Sequence, residues 1–280
     1  AAKGTPIVQM LPIPREEQIT SLLAVSEFAE DAVLVMLTSG GYVKRTRLSA
    51  FANIRSNGLI AIDLVEADAL TWVRLAQPGD SVLIGSRNGM TIHFRLSDEE
   101  LRPLGRTARG VRAMNLRPGD QLVSMDVLPA ELADRVASSA SAEDDESEEV
   151  APSEGPWVLV ASASGLGKRV PVDQFRLQKR AGMGLRCMKF RRDGDVLVGL
   201  KVLGAGEELL LVSEKGVIVR TQADAIPQQS RAATGVRLQK LDSGDRLTEV
   251  VLVPPAPEEE ETEVKEVTEA KEEAAVSTEE

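Results

Sequence analysis

Basic side chains recur in this sequence four residues after a glycine that follows a short apolar run. These side chains are Arg45, His93, Arg169 and Arg220. Guanidinium groups bind phosphate through paired, charge-assisted hydrogen bonds, so a regular row of them is typical of a surface for a phosphate polymer. Strand alternation places these bases on one face, with Arg47 and Arg95 two residues further on. Lys44 and Lys168, which directly precede Arg45 and Arg169, are also predicted to bind phosphate. A second interpretation is a basic strand edge that discourages sheet-to-sheet pairing.

A second basic set surrounds another recurring glycine, which precedes the third strand expected in each unit. These glycines are Gly58, Gly110, Gly184 and Gly235. The basic residues that we predict for phosphate binding here are Arg55, Arg106, Arg109, Arg112, Lys179, Arg180, Arg186, Arg231 and Arg237. Glycine beside arginine lets backbone N–H groups and guanidinium groups approach a phosphate together. The alternative is a glycine-rich turn with ordinary surface charge.

Few residues in this sequence could form a catalytic site. The chain has one histidine and one cysteine, so a Ser/His/Asp site, a Cys/His site and a disulfide are not expected. His93 has no Cys or His partner for a metal, and Cys187 is expected to be a buried, inert thiol. The run from Gly165 to Lys168 resembles part of a P-loop, but it lies between two strands and its first glycine is replaced by Ser162. We therefore expect no enzymatic activity and no cofactor in this chain.

Three markers with one period define the architecture. The hairpin glycines, which lie 48, 76 and 51 residues apart, are Gly41, Gly89, Gly165 and Gly216. The acids that end each unit are Asp68, Asp120, Asp195 and Asp245. A period near 50 with four strands per unit indicates an all-β blade-repeat fold. We expect four complete blades at 33–80, 81–130, 156–206 and 207–255, and part of a fifth in the half repeat 1–32, where 7–11 and 19–25 would be strands.

The charge is unevenly distributed. The formal net charge is −11, but an acidic insert at 131–155 and an acidic tail at 256–280 together hold 20 acids and 3 bases. The remaining residues carry about six more bases than acids. Like-charge blocks without apolar periodicity are expected to be disordered, and they would compete for a basic surface. No run of 18 apolar residues predicts a membrane span, and a cytoplasmic protein is expected.

Composition narrows the polymer that a basic surface would bind. Aromatic residues are 3% of the chain, too few for the stacking platforms that hold single strands. No helix suited to the major groove is evident. A basic rim on a β scaffold therefore predicts duplex binding through phosphates, with little reading of bases.

Four stretches have a specific pattern: 4–12 (GTPIVQMLP), 41–46 (GYVKRT), 110–112 (GVR) and 216–221 (GVIVRT). Through these stretches, the sequence over residues 4–254 resembles the C-terminal domain of the bacterial DNA gyrase A family. The resemblance implies a β-pinwheel, a propeller-like disc whose blades exchange strands and whose rim wraps duplex DNA. Stretch 178–184 (QKRAGMG) is similar to the family's gyrase-A box. The box itself belongs to the first repeat of the family. Because this chain is expected to begin inside the second repeat, the box would lie before Ala1.

The resemblance also implies that the chain is part of a larger enzyme, a type IIA topoisomerase. The implied partners are the rest of gyrase A, the companion protein gyrase B and DNA of the nucleoid. ATP and Mg would be used elsewhere in the enzyme. The family's catalytic tyrosine lies in another domain, and Tyr42 is expected to be a blade residue. Two alternatives stay open: the related domain of topoisomerase IV, which guides DNA crossings, and a propeller that binds proteins.

Overall fold

A computed structural model describes residues 17–55, 58–139 and 152–253. The secondary structure is almost entirely β. The strands are β1 (Val33–Thr38), β2 (Tyr42–Arg47), β3 (Leu70–Ala76), β4 (Ser81–Ser86), β5 (Met90–Arg95), β6 (Val111–Arg112), β7 (Leu122–Leu128), β8 (Trp157–Ser162), β9 (Leu166–Pro171), β10 (Leu185–Arg186), β11 (Leu197–Leu203), β12 (Glu208–Ser213), β13 (Ile218–Gln222), β14 (Val236–Arg237) and β15 (Leu247–Val253). Two short helices are α1 (Asp98–Leu101) and α2 (Ala130–Ser138), and the Ser97 side chain caps α1 by accepting a hydrogen bond from the Glu100 amide. The prediction of an all-β fold is confirmed.

The strands form four antiparallel sheets, which we call blades one to four. Their strand orders are β3-β1-β2-β6, β10-β5-β4-β7, β11-β8-β9-β14 and β13-β12-β15. In the first three blades the strand beside the hairpin comes from the following repeat, and we call β6, β10 and β14 the donor strands. A donor strand from the following repeat therefore completes each of these blades, as the resemblance to a pinwheel implied. Blade four has three strands among the described residues.

Each hairpin is fixed by its glycine and by the acid that ends the unit. Gly41 has φ +92°, a left-handed conformation that suits glycine. The carboxylate of Asp68 accepts hydrogen bonds from the Gly40 amide at 2.7 Å, the Ser39 hydroxyl at 3.0 Å and its neighbour's amide. The equivalent carboxylates that accept from their hairpins are Asp120, Asp195 and Asp245. The acids that marked the repeat in the sequence thus lock its hairpins.

Every blade has an inner and an outer edge. At the inner edge, β3, β7, β11 and β15 contact one another from blade to blade. The hydroxyl of Ser124 on β7 donates to the Leu200 carbonyl on β11 at 3.0 Å. Apolar clusters fill the spaces between neighbouring blades, for example Leu37 of blade one with Ile84 and Phe94 of blade two. The donor strands lie at the opposite, outer edge.

Several expected elements differ from the structure. The third strands are only two residues long, and stretch 59–62 of the first unit forms no strand. Stretch 19–25 is also not a strand, although Thr20 donates to the Leu70 carbonyl at 2.8 Å. The start of the acidic insert is ordered, because α2 buries Ala133 and Val136 and joins Arg135 to Asp173 at 2.6 Å. Stretch 7–11 and the tail 256–280 lie outside the described residues.

Candidate nucleic-acid interface

In blades one to three, the base four residues after the hairpin glycine attaches the next repeat to its blade. The side chains of Arg45, His93 and Arg169 each bind a backbone carbonyl nine residues before a donor-strand glycine. The accepting carbonyls are those of Leu101, Phe175 and Ile226. The shared chemistry of this position is thus carbonyl binding inside the protein. Period two predicted the common face, but it could not show that the following repeat covers that face.

The two arginines that bind these carbonyls are also paired with carboxylates. Arg45 binds Asp98 of α1, and Arg169 binds Asp224 at 2.8 Å. Their side chains keep only 9% and 11% exposure, and Arg169 stacks 4.3 Å from the ring centroid of Trp157. A guanidinium held by a carbonyl, a carboxylate and a ring has few donors left for phosphate. In this arrangement the protein itself holds Arg45 and Arg169, and a phosphate contact from either stays a prediction.

His93 occupies the same place with a neutral ring. Its Nδ1–H donates to the Phe175 carbonyl at 2.6 Å, and its Nε2 accepts from the Ser81 hydroxyl at 2.7 Å. The residue is 1% exposed, and burial lowers the pKa of His93 to about 4. The imidazole is therefore uncharged near pH 7 and enclosed by the protein, so this arrangement gives no support to the predicted phosphate contact of His93.

The two lysines beside these arginines are buried in rings of carbonyl oxygens. Lys44 Nζ donates to the carbonyl of Ala61 at 2.7 Å and to carbonyls of loop 105–108. Lys168 Nζ donates to the carbonyls of Ser230, Arg231 and Ala233 at 2.6–2.7 Å. Both lysines are fully buried, and burial lowers the pKa of Lys44 to about 8 and that of Lys168 to about 7. This arrangement gives no support to their predicted phosphate binding, because each lysine holds the loop of the following repeat.

The loop glycines allow the donor strands to approach. A Cβ on Gly110 would lie 2.6 Å from the Val43 carbonyl oxygen, and the same contact is 2.5 Å for Gly184 and 2.6 Å for Gly235. All three have positive φ. Real Cβ atoms do not approach backbone so closely, so glycine is required for the strand exchange itself. The sequence predicted that these glycines bring the backbone close to a phosphate, whereas in the structure they bring it close to a carbonyl of the preceding blade.

Four further candidates have partners within the chain. Arg95 binds Asp134 of α2 at 2.6 Å, and Arg109 binds Asp63 at 3.0 Å. Arg220 binds Glu208 across the hairpin, and Arg180 donates to the carbonyls of Glu100 and Arg112 at 2.8 Å. These guanidinium groups are partly exposed, so a phosphate would have to compete with the partner already in place.

The best-placed bases are the arginines of the donor strands. Arg112, Arg186 and Arg237 are exposed and take the same register, opposite Tyr42, Met90 and Leu166 of the preceding blade. All three lie at the outer edge, one per blade. Arg112 also lies 6.0 Å from the centroid of the Tyr42 ring. We call this row the rim arginines. All three are among the bases predicted for phosphate binding, they lie on the donor strands, and their contact with phosphate stays a prediction.

A cleft beside the middle rim arginine gathers more positive charge. It has a volume of about 350 Å³, and Arg117, Arg186 and Arg231 line it together with Asn88. Arg231 donates to the Arg186 carbonyl at 2.7 Å. Arg117 was missed in the sequence, although it stands seven residues after Gly110 just as Arg191 stands seven after Gly184. That repeated spacing was the available signal.

The other predicted bases differ in exposure. Arg47, Arg55 and Lys179 are exposed, and Arg106 is half-buried with its carbonyl turned to Lys44. For these residues, phosphate contact stays a prediction.

Among the described residues, no group of His, Cys, Asp or Glu is arranged to hold a metal ion. In the same part of the chain, no helix is long and apolar enough to cross a membrane. The site can offer fixed positive charge along a rigid edge.

Comparison with known proteins places this geometry in a family. The model of the DNA gyrase C-terminal domain, described as a β-propeller, matches residues 32–77, 80–129, 156–203 and 207–254. These segments contain the hairpins and inner strands of the four blades. DNA gyrase A of Synechocystis sp. is 52% identical over 273 residues, which is 95% of this chain and 32% of that protein. The chloroplastic/mitochondrial DNA gyrase A of Nicotiana benthamiana is 39% identical over 90% of this chain and 27% of its own length.

Solved structures agree on the fold. The C-terminal domain of a DNA topoisomerase IV has a TM-score of 0.74 at 23% identity and covers 89% of this chain and 70% of its own. A DNA gyrase A C-terminal domain has a TM-score of 0.72 at 24% identity, with coverage of 90% and 76%. The chain spans about a third or less of the length of the curated relatives that it matches. With four antiparallel blades, strand exchange between them and a family match across all four, the chain belongs to the DNA gyrase A C-terminal domain family.

Proposed function

We propose that this chain binds duplex DNA along the outer edge of its blades and bends it, as the DNA-wrapping part of a DNA gyrase A protein. The observation that carries the proposal is the row of rim arginines, one on each donor strand at one register. Membership of the gyrase family supports the choice of DNA as the phosphate polymer.

Several blades acting in series suit the energetics of bending. Smoothly bending 20–30 base pairs by 40–90° costs on the order of 1–6 kcal/mol. One arginine could not offset that cost, whereas contacts repeated along a curved edge share it. The body outside the acidic insert and tail has an excess of about six bases, which also favours a polyanion.

The rest of the enzyme enters the proposal through the relatives. We place this chain in a type IIA topoisomerase, an isomerase that changes DNA topology, in which ATP and Mg are used by other domains. The proposed partners are the remainder of gyrase A and its companion protein gyrase B. The proposed location is the compartment that holds the DNA, the bacterial cytoplasm, although plant relatives are named chloroplastic/mitochondrial. No catalytic role is proposed for the chain itself.

A second candidate function is the one suggested by the topoisomerase IV domain of similar fold. A domain that guides DNA crossings would bind duplex without trapping a wrap. The two functions separate in one experiment: nicked circular DNA is ligated in the presence of the chain, and the linking number is measured after its removal. A change in linking number that grows with protein supports wrapping. No change, with binding retained, contradicts wrapping and favours the crossing function; a protein-binding propeller would show neither effect.

A further inference from the structure

The outer edge of blades one and two is a donor strand of only two residues. β6 and β10 stand at the ends of their sheets, so one side of each strand has no neighbouring strand among the described residues. The amides of Ala113 and Cys187 donate to the hairpin-glycine carbonyls of the preceding blade at 2.8 Å. In an antiparallel pair, this pattern turns the backbone of the residue before each amide away from the partner strand. The carbonyls of the rim arginines Arg112 and Arg186 therefore point outward from the sheet.

In both blades, an arginine of the next repeat binds this outward carbonyl. Arg180 Nη1 donates to the Arg112 carbonyl at 2.8 Å, and Arg231 Nη1 donates to the Arg186 carbonyl at 2.7 Å. Both arginines stand four residues before the next donor glycine. We call Arg180 and Arg231 the latch arginines. Each supplies a donor that an edge carbonyl would otherwise have to take from water.

The backbone of each latch arginine is attached to the same repeat as its side chain. The amide of Arg180 donates to Glu100 Oε2 at 2.9 Å, and the amide of Arg231 donates to Gln174 Oε1 at 2.7 Å. Glu100 and Gln174 each stand ten residues before the donor glycine of their own repeat. Nε of Arg180 adds a bond to the Glu100 carbonyl at 2.8 Å. Each latch arginine is thus held at two points on the repeat that carries the rim arginine.

Three successive repeats therefore meet at each of these two rim positions. At Arg112, they contribute the hairpin strand β2, the donor strand β6 and the latch arginine Arg180. The rim arginines Arg112 and Arg186 are exposed, whereas both latch arginines are half-buried. This arrangement suits a latch that holds the strand and leaves the exposed guanidinium of the strand to meet a ligand.

We propose that the latch arginines are positioning residues, which hold the donor strands at the sheet edge and thereby fix where the rim arginines meet the duplex. The inference rests on the proposed function and assigns two further residues to it. A bent duplex needs contacts at a fixed spacing, because its phosphates must stay in step with the curved edge. A rim arginine on a loosened strand keeps its charge but loses its fixed place. Affinity for DNA and the shape of the bound DNA should therefore separate when the latch is changed.

A charge-conserving change tests the proposal in the 280-residue chain. The latch variant, Arg180→Lys with Arg231→Lys, keeps both charges, but an ammonium group lacks the planar fork of a guanidinium. When circular DNA is ligated with saturating protein, we expect its linking-number change to fall by roughly half or more relative to the wild type. The log–log salt slope of duplex binding should stay within about one unit of the wild type, because no charge is lost.

The matched control is Arg220→Lys with Arg246→Lys. These arginines are exposed and bind the carboxylates of Glu208 and Glu214. The control makes the same chemical change away from any rim carbonyl, so it should change the linking number as the wild type does. A latch variant that wraps DNA as well as the wild type overturns the proposal. A control that loses as much as the latch variant overturns it too.

Coupling to the rim arginine separates positioning from direct phosphate contact. If Arg180 acts through Arg112, Arg180→Lys should reduce the linking-number change no further once Arg112→Ala is present. Added to Arg237→Ala, two donor strands away, it should cause the same loss as in the wild type. Equal additional losses in the two backgrounds would overturn the proposal and assign Arg180 to phosphate contact.

Amide hydrogen exchange without DNA tests the latch independently of wrapping. In the latch variant, the amides of Ala113 and Cys187 should exchange several-fold faster, because the strands that carry them open more often. In the control they should exchange at the wild-type rate. Wild-type exchange at both amides of the latch variant overturns the proposal. A wild-type chain that leaves the linking number unchanged contradicts the proposed function instead, so the two failures are distinguishable.

Discussion

His93 Nδ1 lies 2.6 Å from the carbonyl oxygen of Phe175, a residue 82 positions later in the chain and in the next repeat. This hydrogen bond ties blade two to the repeat that completes it. Arg45 and Arg169 make the same connection in blades one and three. The position therefore stabilises the joints between repeats, and its contribution should be measured as stability.

His93→Ala should lower the free energy of unfolding by about 2–4 kcal/mol, because it leaves the buried Phe175 carbonyl and Ser81 hydroxyl without their partner. Urea unfolding measures the change, and Arg246→Ala, at an exposed ion pair with Glu214, is the control that should change little. DNA affinity of the folded protein should stay within about twofold of the wild type. Unchanged stability with a smaller salt dependence of DNA binding would instead assign His93 to phosphate contact.

The free energy of unfolding should also decrease as the pH is lowered, because of the same imidazole. The pKa of His93 is lowered by burial from 6.5 to about 4. Between these values the unfolded chain binds more protons than the folded one, so stability is complete above pH 6.5 and decreases as the pH falls towards 4. The loss attributable to His93 reaches about 3 kcal/mol. Unfolding curves for the wild type and His93→Gln should converge as the pH is lowered; parallel curves would contradict the assignment.

Replacing the rim arginines together should weaken DNA binding and flatten its salt dependence. The triple change Arg112→Ala, Arg186→Ala and Arg237→Ala removes three exposed charges, which predicts a log–log salt slope smaller by roughly 2.7. Fluorescence anisotropy with duplex DNA over a salt series gives the slope.

The control for the rim carries the same change of net charge. Arg109→Ala, Arg220→Ala and Arg246→Ala remove three exposed arginines that are already paired with carboxylates. We expect this control to keep most of the wild-type slope. Equal effects from the two triple variants would show that DNA responds to total charge and would contradict a defined rim.

Lys168→Met should loosen the joint between blade three and the fourth repeat. The carbonyls of Ser230, Arg231 and Ala233 would lose a shared donor, at a cost of about 2–4 kcal/mol. Amide exchange should accelerate at Val236 and Arg237, while exposed Lys240→Met should leave exchange there unchanged. A normal exchange pattern together with weaker DNA binding would return Lys168 to the candidate phosphate contacts.

Deletion of the tail 256–280 should tighten DNA binding at low salt. The tail carries 11 acids and 2 bases, and a tethered polyanion competes at an effective concentration of up to about the mM range. The gain should disappear as salt screens the competition. A tail of the same length made of Gly and Ser should behave like the deletion. Unchanged affinity at low salt would leave the tail with no competing role.

The parts of the fold that depend on local chemistry could be predicted from the sequence. Gly41 and Asp68 mark the hairpin because the left-handed turn and the carboxylate that accepts its amides need those residue types. The repeat spacing placed the third strands in their own repeat, whereas the sheet order places each in the preceding blade, an exchange that only the resemblance had implied. Nothing in 110–112 alone shows that it pairs with Val43 of another repeat.

The candidate site was harder to predict because charge does not report exposure. Lys44 and Arg112 look alike as isolated bases, but Lys44 is fully buried among carbonyls and Arg112 is exposed. Lys44 is covered by loop 105–108, which comes from the next repeat, and by the carbonyl of Ala61. The acidic insert was predicted to be disordered for a related reason. Its many carboxylates drew attention away from the apolar residues Ala133 and Val136, whose helical spacing lets α2 bury them.

Strand donation has a consequence for how such chains change over evolutionary time. Each sheet in blades one to three draws on two successive sequence repeats, so a deletion confined to one visible blade would also strip its neighbour. A loss or duplication of one full period, wherever it begins, removes or adds one donor and one acceptor together. The heritable module is therefore the period of about 50 residues, and the number of blades can change in a lineage without inventing a new junction.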